Sequence, residues 1–261
     1  MNNDKLIDFS INNGIAYITL NSPETANSLS PALGQQLIEA AVRCDRTPGV
    51  RAVLLSANGK FFSVGGDINA MVGFGDNVAA GIKELADGLH RAISTFARMK
   101  APLIVAVNGM AAGAGFSLAI AADYVVAADS AAFTMAYSKV GLSPDGSSSY
   151  YLPRLIGLRK AQELMLTNRV LSADEAVEWG LINASVPADE VFASAEKAAK
   201  LIASASPESN SAIKQLLLAS FNNGVETQME LESRFIADCA DSANGREGVA
   251  AFTAKRKAEF S

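Results

Sequence analysis

Three short segments of this 261-residue chain carry residue types and spacings suited to chemistry. In FFSVGGDINAM, Phe61 to Met71, two adjacent glycines let the backbone approach a ligand closely, and Asp67 suits the N-cap of a helix beginning at Ile68. Exposed N–H groups at such a loop-to-helix junction can receive an anionic oxygen. In NGMAAGAGFSLAIAADY, Asn108 to Tyr124, a turn at Asn108-Gly109 leads into a small-residue helix near Gly113. The unpaired N–H groups of its first turn offer a second place for developing negative charge. In KVGLSPDGSSSYYLPRLIGL, Lys139 to Leu158, the turn Pro144-Asp145-Gly146 presents one carboxylate. Each segment also has a plain structural use: a turn, a tightly packed helix, and a turn-capping aspartate.

The rest of the composition narrows the chemistry. The single histidine, His90, and two cysteines without motif spacing, Cys44 and Cys239, make a zinc site implausible. A Ser-His-Asp triad would have to use His90. The cysteines read as reduced, partly buried thiols of a cytoplasmic protein. No dinucleotide fingerprint occurs, so no nicotinamide cofactor is expected. Net charge is −5 with no basic run, which argues against nucleic acid and anionic membrane as partners. With 49% hydrophobic and 19% charged residues the chain is globular rather than disordered. The N-terminal MNNDKLIDFS has no apolar core of a secretory signal, and the longest apolar stretch, Ala111 to Ala122, is too short to span a bilayer.

Those segments need elements to position them. Leu6 to Ser10 and Gly14 to Leu20 are expected as strands around a turn at Ile11 to Gly14. Ser30-Pro31 opens a helix whose apolar residues are Leu33, Leu37, Ala40 and Ala41. Val50 to Ser56 and Pro102 to Val107 fit buried strands, with a long helix over Val78 to Met99 between them. A helix near Gly113 to Ala122 and a strand, Tyr124 to Ala128, follow, then helices near Leu158 to Thr167 and Ala173 to Trp179. From Ala188 onward the chain reads as successive helices broken at Pro207, Gly224 and Gly245. Strand-strand-helix units followed by helices alone give an α/β class.

Together, in this order, the segments resemble the crotonase (enoyl-CoA hydratase/isomerase) superfamily, from about Leu6 to Phe260. TLNSPETANSLS (Thr19 to Ser30) is similar to that family's NRPExxNAL region. WGLINASVP (Trp179 to Pro187) and REGVAAFTAKR (Arg246 to Arg256) are similar to its later motifs. The resemblance implies a crotonase spiral of ββα units over residues 1–200 and a C-terminal helical trimerisation region over 201–261. It implies an acyl-CoA substrate, no separate cofactor and no metal, and a homotrimer or dimer of trimers. By position it makes Gly66 and Ala114 the two N–H donors of an oxyanion hole.

Family hydratases use two glutamates, whose matching positions here are Ser117 and Tyr137; neither is a carboxylate. Asp145 remains, in a stretch similar to the Δ3,Δ2-enoyl-CoA and ring-epoxide isomerases, where one acid in this turn is the base. The resemblance therefore implies an isomerase with Asp145 as single acid/base, in a pocket lined by Ser117, Phe133 and Tyr137. Thr25, Ser28, Val64, Asp67 and Ile68 are expected along the bound thioester, and Lys255 near a phosphate of a neighbouring subunit's ligand. Two alternatives stay open. One is a 4-halobenzoyl-CoA-type dehalogenase with Asp145 as nucleophile and His90 near the place of its water-activating histidine; a lone histidine on an amphipathic helix is otherwise helix surface. The other is a hydratase by a non-standard mechanism.

Overall fold

The computed structural model describes residues 5–261; the first four residues of the polar N-terminal stretch lie outside the described residues. Two strands, β1 (Ile7–Asn12) and β2 (Ile15–Leu20), form an antiparallel hairpin. Asn13 and Gly14 both take positive φ, the backbone of a two-residue turn whose twist matches the strands. Helix α1 (Pro31–Arg46) follows, with the Ser30 hydroxyl accepting from the Leu33 N–H at 3.2 Å and proline in its first turn. Strand β3 (Ala52–Ala57) pairs parallel to β2. A short helix α2 (Ile68–Gly73) precedes the long α3 (Val78–Arg98).

The pattern then repeats. Strand β4 (Leu103–Val107) lies parallel to β3, and a short β5 (Ala111–Ala112) leads into α4 (Ala114–Ile120). Strand β6 (Tyr124–Ala128) extends the main sheet, while β7 (Ala132–Thr134) pairs with β5 instead. Helices α5 (Ser148–Ile156) and α6 (Leu158–Thr167) come next, then β8 (Leu171–Ser172), α7 (Ala173–Glu178) and β9 (Ala184–Val186). The main sheet has the order β1-β2-β3-β4-β6-β9, parallel except for β1, and β5-β7-β8 form a second sheet. Every residue of β4 and the first five of β3 are buried, which is why both strands read as unbroken apolar runs.

Helix α8 (Val191–Ala203) lies against the main sheet and buries Val191, Ala195, Ala199 and Ala203. The expected division at residue 200 therefore falls inside a helix of the core; the separate helices start at α9 (Pro207–Ser220) and continue as α10 (Val225–Asp241) and α11 (Ala243–Thr253). The break expected at Gly245 is moved to Ser242, whose hydroxyl accepts from the Gly245 N–H at 2.9 Å as the cap of α11. A helix can begin two residues before a glycine when a serine ahead of it supplies the cap. Among the described residues no helix is long and apolar enough to cross a membrane. Cys44 is buried and burial pushes its thiol up to about 12, so it stays a protonated packing residue; Cys239 is also free.

After α11 the chain turns back, and the tail is fastened by one side chain of the REGVAAFTAKR segment to another. Glu247 Oε1 and Oε2 accept from Arg256 Nη1 and Nη2 at 2.6 and 2.8 Å, and Oε1 also accepts from the Glu259 N–H at 2.9 Å. The Arg256 guanidinium, and then the Glu259 N–H, hold the Glu247 carboxyl at about 2 against an ordinary 4.5. Its native value is the lower one, so this contribution is complete above pH 4.5 and fades as pH falls to about 2. The Glu259 amide resonance should accordingly titrate with a midpoint near 2, and Glu247→Gln should abolish that transition. A midpoint at the ordinary value would show the tail gains nothing from the pair.

Candidate active site

The loop between β3 and α2 is held by an asparagine. Asn27 is fully buried, with its Oδ1 accepting from the Ser22 N–H at 2.9 Å. Its Nδ2 donates to the carbonyls of Asn58 and Phe61 at 2.9 and 3.0 Å. Ser63 Oγ donates to the Asn27 carbonyl at 2.8 Å and accepts from the Gly65 N–H at 3.2 Å. The Leu29 N–H donates to the Gly65 carbonyl at 2.7 Å. Gly65 has φ +93°, and a Cβ there would lie 2.8 Å from the Ala112 carbonyl oxygen, so the loop closes on the next layer only as glycine. Both backbone groups of Gly65 are thus used, while the Gly66 N–H donates to no protein group among the described residues.

The second donor comes from α4. Its first residue is Ala114, one of the N–H groups that a helix cannot satisfy internally, and it too has no partner among the described residues. The preceding Gly113 N–H is taken by the Thr134 carbonyl at 3.0 Å. Gly66 and Ala114 line one cavity of about 450 Å³. Its walls are apolar: Ile82, Leu85 and Leu89 from α3, with Val140 and Leu142 from the segment after Tyr137.

Asp145 and Tyr137 line the same cavity. Asp145 Oδ1 accepts from the Tyr137 hydroxyl at 2.5 Å. The Ser148 N–H and hydroxyl both donate to the Asp145 carbonyl, which fixes the turn at the start of α5. Burial first, then the Asp145 charge, pushes the Tyr137 phenol far above its ordinary value, so it stays protonated and donates. Having given its hydrogen to Asp145, the phenol oxygen accepts from Ser117 Oγ, 3.1 Å away. On the other side, His90 Nε2 stands 3.5 Å from Asp145 Oδ2 and accepts from the Gly146 N–H at 3.1 Å. One nitrogen cannot accept there and donate to the carboxylate as well. The shorter bond decides: we assign a neutral imidazole with its hydrogen on Nδ1 and no ion pair to Asp145.

The expected site residues divide into three groups. Gly66, Val64, Ile68, Ala114, Tyr137 and Asp145 all line the cavity. Ser117 is fully buried one step behind Tyr137, hydrogen-bonds to it and does not line the cavity. The rest stand apart. Phe133 is fully buried against Phe116, ring centroids 5.4 Å apart, and does not reach the cavity, because β7 turns that residue into the core. Asp67 caps α2 with one carboxylate oxygen, Oδ1 accepting from the Asn69 and Ala70 N–H groups at 2.9 and 3.1 Å, and the residue does not line the cavity. Thr25 bonds Ser22 within its own turn, Ser28 is buried, and Lys255 is exposed just beyond α11; none of the three lines the cavity. His90 is not mere helix surface: its half-exposed ring is turned to the Asp145 turn.

Sequence reasoning missed Asn27 and Ser63, which position the loop, and the α3 wall. Asn27 lay inside the TLNSPETANSLS segment, where its buried amide had no signal apart from the motif. Lys83 is the one cation among the described cavity residues, and it pairs with Asp87 at 2.6 Å. No group of three or more metal-ligating side chains gathers among the described residues.

The arrangement can hold a developing oxyanion on two N–H groups while one carboxylate works on neighbouring carbon atoms. Residues 10–261 match a family model described as enoyl-CoA hydratase/isomerase. The chain is 36% identical over 254 residues to the 1,2-epoxyphenylacetyl-CoA isomerase of Escherichia coli K12, covering 96% of each chain. It is 31% identical to 4-chlorobenzoyl coenzyme A dehalogenase-2 of an Arthrobacter species, over 97% of this chain and 92% of that one. A solved enoyl-CoA hydratase from Polaromonas sp. JS666 superposes with a TM-score of 0.94 at 33% identity, over 98% of this chain and 99% of that one.

The free N–H at the first position of α4 gives a direct test. Proline is tolerated there because that N–H has no helical partner, yet it deletes the donor. Ala114→Pro should leave the thermal midpoint close to wild type and lower turnover roughly 10²–10³-fold, the usual loss for one donor of such a pair. Full activity with a preserved fold would remove Ala114 from the site.

Proposed function

Since this chain belongs to the enoyl-CoA hydratase/isomerase family and has its crotonase fold, we propose that it is an isomerase of coenzyme A thioesters with Asp145 as its single acid/base. The observation that carries this reading is that Asp145 is the sole carboxylate among the described residues lining the cavity that holds both free N–H groups. The thioester oxygen sits on Gly66 and Ala114. Asp145 takes a proton from the acyl group, the negative charge moves onto that oxygen, and the same carboxyl returns the proton at another carbon. For a Δ3 substrate these are C2 and C4; for a ring epoxide the same enolate opens the ring. The name of the Escherichia coli relative supports isomerisation.

Hydration by paired carboxylates is the weaker reading. The two positions where family hydratases carry glutamate are a buried serine and a phenol held protonated, and neither can deprotonate water. Tyr137 instead serves Asp145, fixing Oδ1 and leaving Oδ2 for the substrate. The apolar walls suit an uncharged aliphatic or aromatic acyl group. Val64 and Ile68, which line the cavity, would flank the thioester, and Lys255 would serve a phosphate of a neighbouring subunit's ligand.

One observation favours a second reading. His90 lies beside Asp145, and the Arthrobacter relative is by name a dehalogenase. There Asp145 Oδ2 would attack the aryl carbon, halide would leave, and water activated by His90 would cleave the aryl ester. The C-terminal helices expose Leu217, Ile236 and Phe252, which supports assembly through them as a homotrimer or a dimer of trimers.

Asp145→Asn is nearly isosteric and keeps the turn, so thioester affinity should persist while isomerisation falls roughly 10²–10⁴-fold or more. Ser117→Ala should cost far less, because it only loosens Tyr137. Dehalogenation instead predicts an aryl ester on Asp145, trapped in His90→Ala and visible by mass spectrometry. Near-normal isomerisation by Asp145→Asn would end the acid/base proposal. In sedimentation equilibrium the chain should run at three or six times its monomer mass at micromolar concentration, and a monomer would refute the assembly.

A further inference from the structure

A second cavity, of about 510 Å³, is lined by His90, Ser94, Ser147, Tyr150 and Tyr151 among others, and shares no lining residue with the first. Asp145 belongs to one cavity and His90 to the other, and the two side chains stand 3.5 Å apart. The linings of the two cavities meet at this contact. Neither the acid/base role of Asp145 nor the oxyanion donors account for the second space.

The two cavities differ in kind. The first is walled by aliphatic side chains, and an acyl group seated in it would displace water from around Asp145. The second is lined by Ser94, Arg98, Ser147, Tyr150, Tyr151 and Asn222 beside a few apolar residues, and polar side chains of this kind can hold water. The His90 Nε2 lone pair, directed at the Gly146 N–H, is a proton-accepting site, and its ring is half exposed.

We propose that the second cavity is a water channel to Asp145, and that His90 passes protons between the carboxyl and that water while the substrate fills the first cavity. This rests on Asp145 acting as the acid/base. The transfer is balanced. The protonated Asp145 carboxyl gives its proton to His90 Nε2, whose bond from Gly146 N–H is released as the lone pair is used. The imidazolium gives that same Nε2 proton to water in the channel, which its half-exposed ring borders, and takes a solvent hydron on Nε2 in its place. Nε2 then passes the solvent hydron to the Asp145 carboxylate and regains its lone pair, with no net change of charge. His90 touches no substrate in this scheme; it is a positioning residue that acts through Asp145. The consequence is that a proton removed from the acyl group exchanges with solvent before it is returned, through a door separate from the thioester entrance.

The test is isomerisation of a 3-enoyl-CoA in deuterated water, with the deuterium content of the product read by mass spectrometry beside turnover. Wild-type product should carry solvent deuterium. In His90→Gln an amide oxygen still accepts from the Gly146 N–H but cannot relay a proton, and product deuterium should fall several-fold. Ser94→Leu fills the second cavity without touching the first, and should cause the same fall at unchanged turnover. A purely structural His90 would alter turnover and leave the isotope content alone. Unchanged deuterium content in either variant, or wild-type isomerisation with no deuterium uptake, overturns the channel and leaves the isomerase reading standing. A wild-type protein that neither isomerises nor exchanges the α-hydrogens of acyl thioesters overturns both.

Discussion

A Cβ on Gly65 would lie 2.8 Å from the Ala112 carbonyl oxygen, and one on Gly115 would lie 2.5 Å from that of Ser63. The loop after β3 and the start of α4 can meet this closely only as bare backbone, and the site depends on that approach. It brings two N–H groups from successive layers of the spiral onto one cavity wall, although Gly66 and Ala114 are 48 residues apart in sequence (114 − 66). The parallel strands set the layer spacing, and the buried Asn27 and Ser63 keep the loop from drifting. Rigid donors matter because a hole that must rearrange to meet a developing charge loses much of its advantage.

On the opposite wall the same economy governs the carboxylate. Ser117, Tyr137 and Asp145 form a chain in which each hydroxyl passes its hydrogen toward the charge, so a buried phenol and a buried serine are satisfied while Asp145 is held by one oxygen. Two carboxylates at the positions of Ser117 and Tyr137 would instead repel Asp145 inside an apolar cavity. Replacing them by hydroxyls removes that repulsion, and with it the means to activate water. On the proposed isomerase reading, the single carboxylate and the polar chain behind it are two sides of one pattern of residues.

What was legible in the sequence followed its strongest local physics. Ser30-Pro31 marked a helix start, Asn13-Gly14 a tight hairpin, and the apolar runs at β3 and β4 their burial on both faces. The Gly-Gly-Asp junction and the small-residue helix pointed to free N–H groups, and the family resemblance, not helix geometry, singled out Gly66 and Ala114. Phe133 was misplaced because its facing depends on how the short β7 joins β5 and β8, a tertiary fact with no periodicity in three residues. His90 was read as surface because α3 is amphipathic, and its neighbour Asp145 comes from a loop 55 residues later (145 − 90). Asp67 showed its structural role at once, as the cap of α2.

The C-terminal helices are tied to the core by a group that no hydropathy pattern would bury. Lys214 of α9 has a nearly inaccessible side chain, and its ammonium donates to the carbonyls of Phe96 and Ala101 at 2.9 and 3.0 Å while pairing with Asp123 at 2.9 Å. Burial pulls its pKa down, and the Asp123 charge opposes this. Such a pair adds little net stability, since desolvation offsets most of the attraction, but it is exacting about position. Slipping α9 by one residue would leave an ammonium and two carbonyls unsatisfied, at a cost no apolar contact recovers. The same anchor sets where Leu218 and Asn222 stand along the second cavity. The helices that expose Leu217 and Phe252 therefore rest on a fixed footing, and the apolar face they offer a neighbour is held in constant relation to the site.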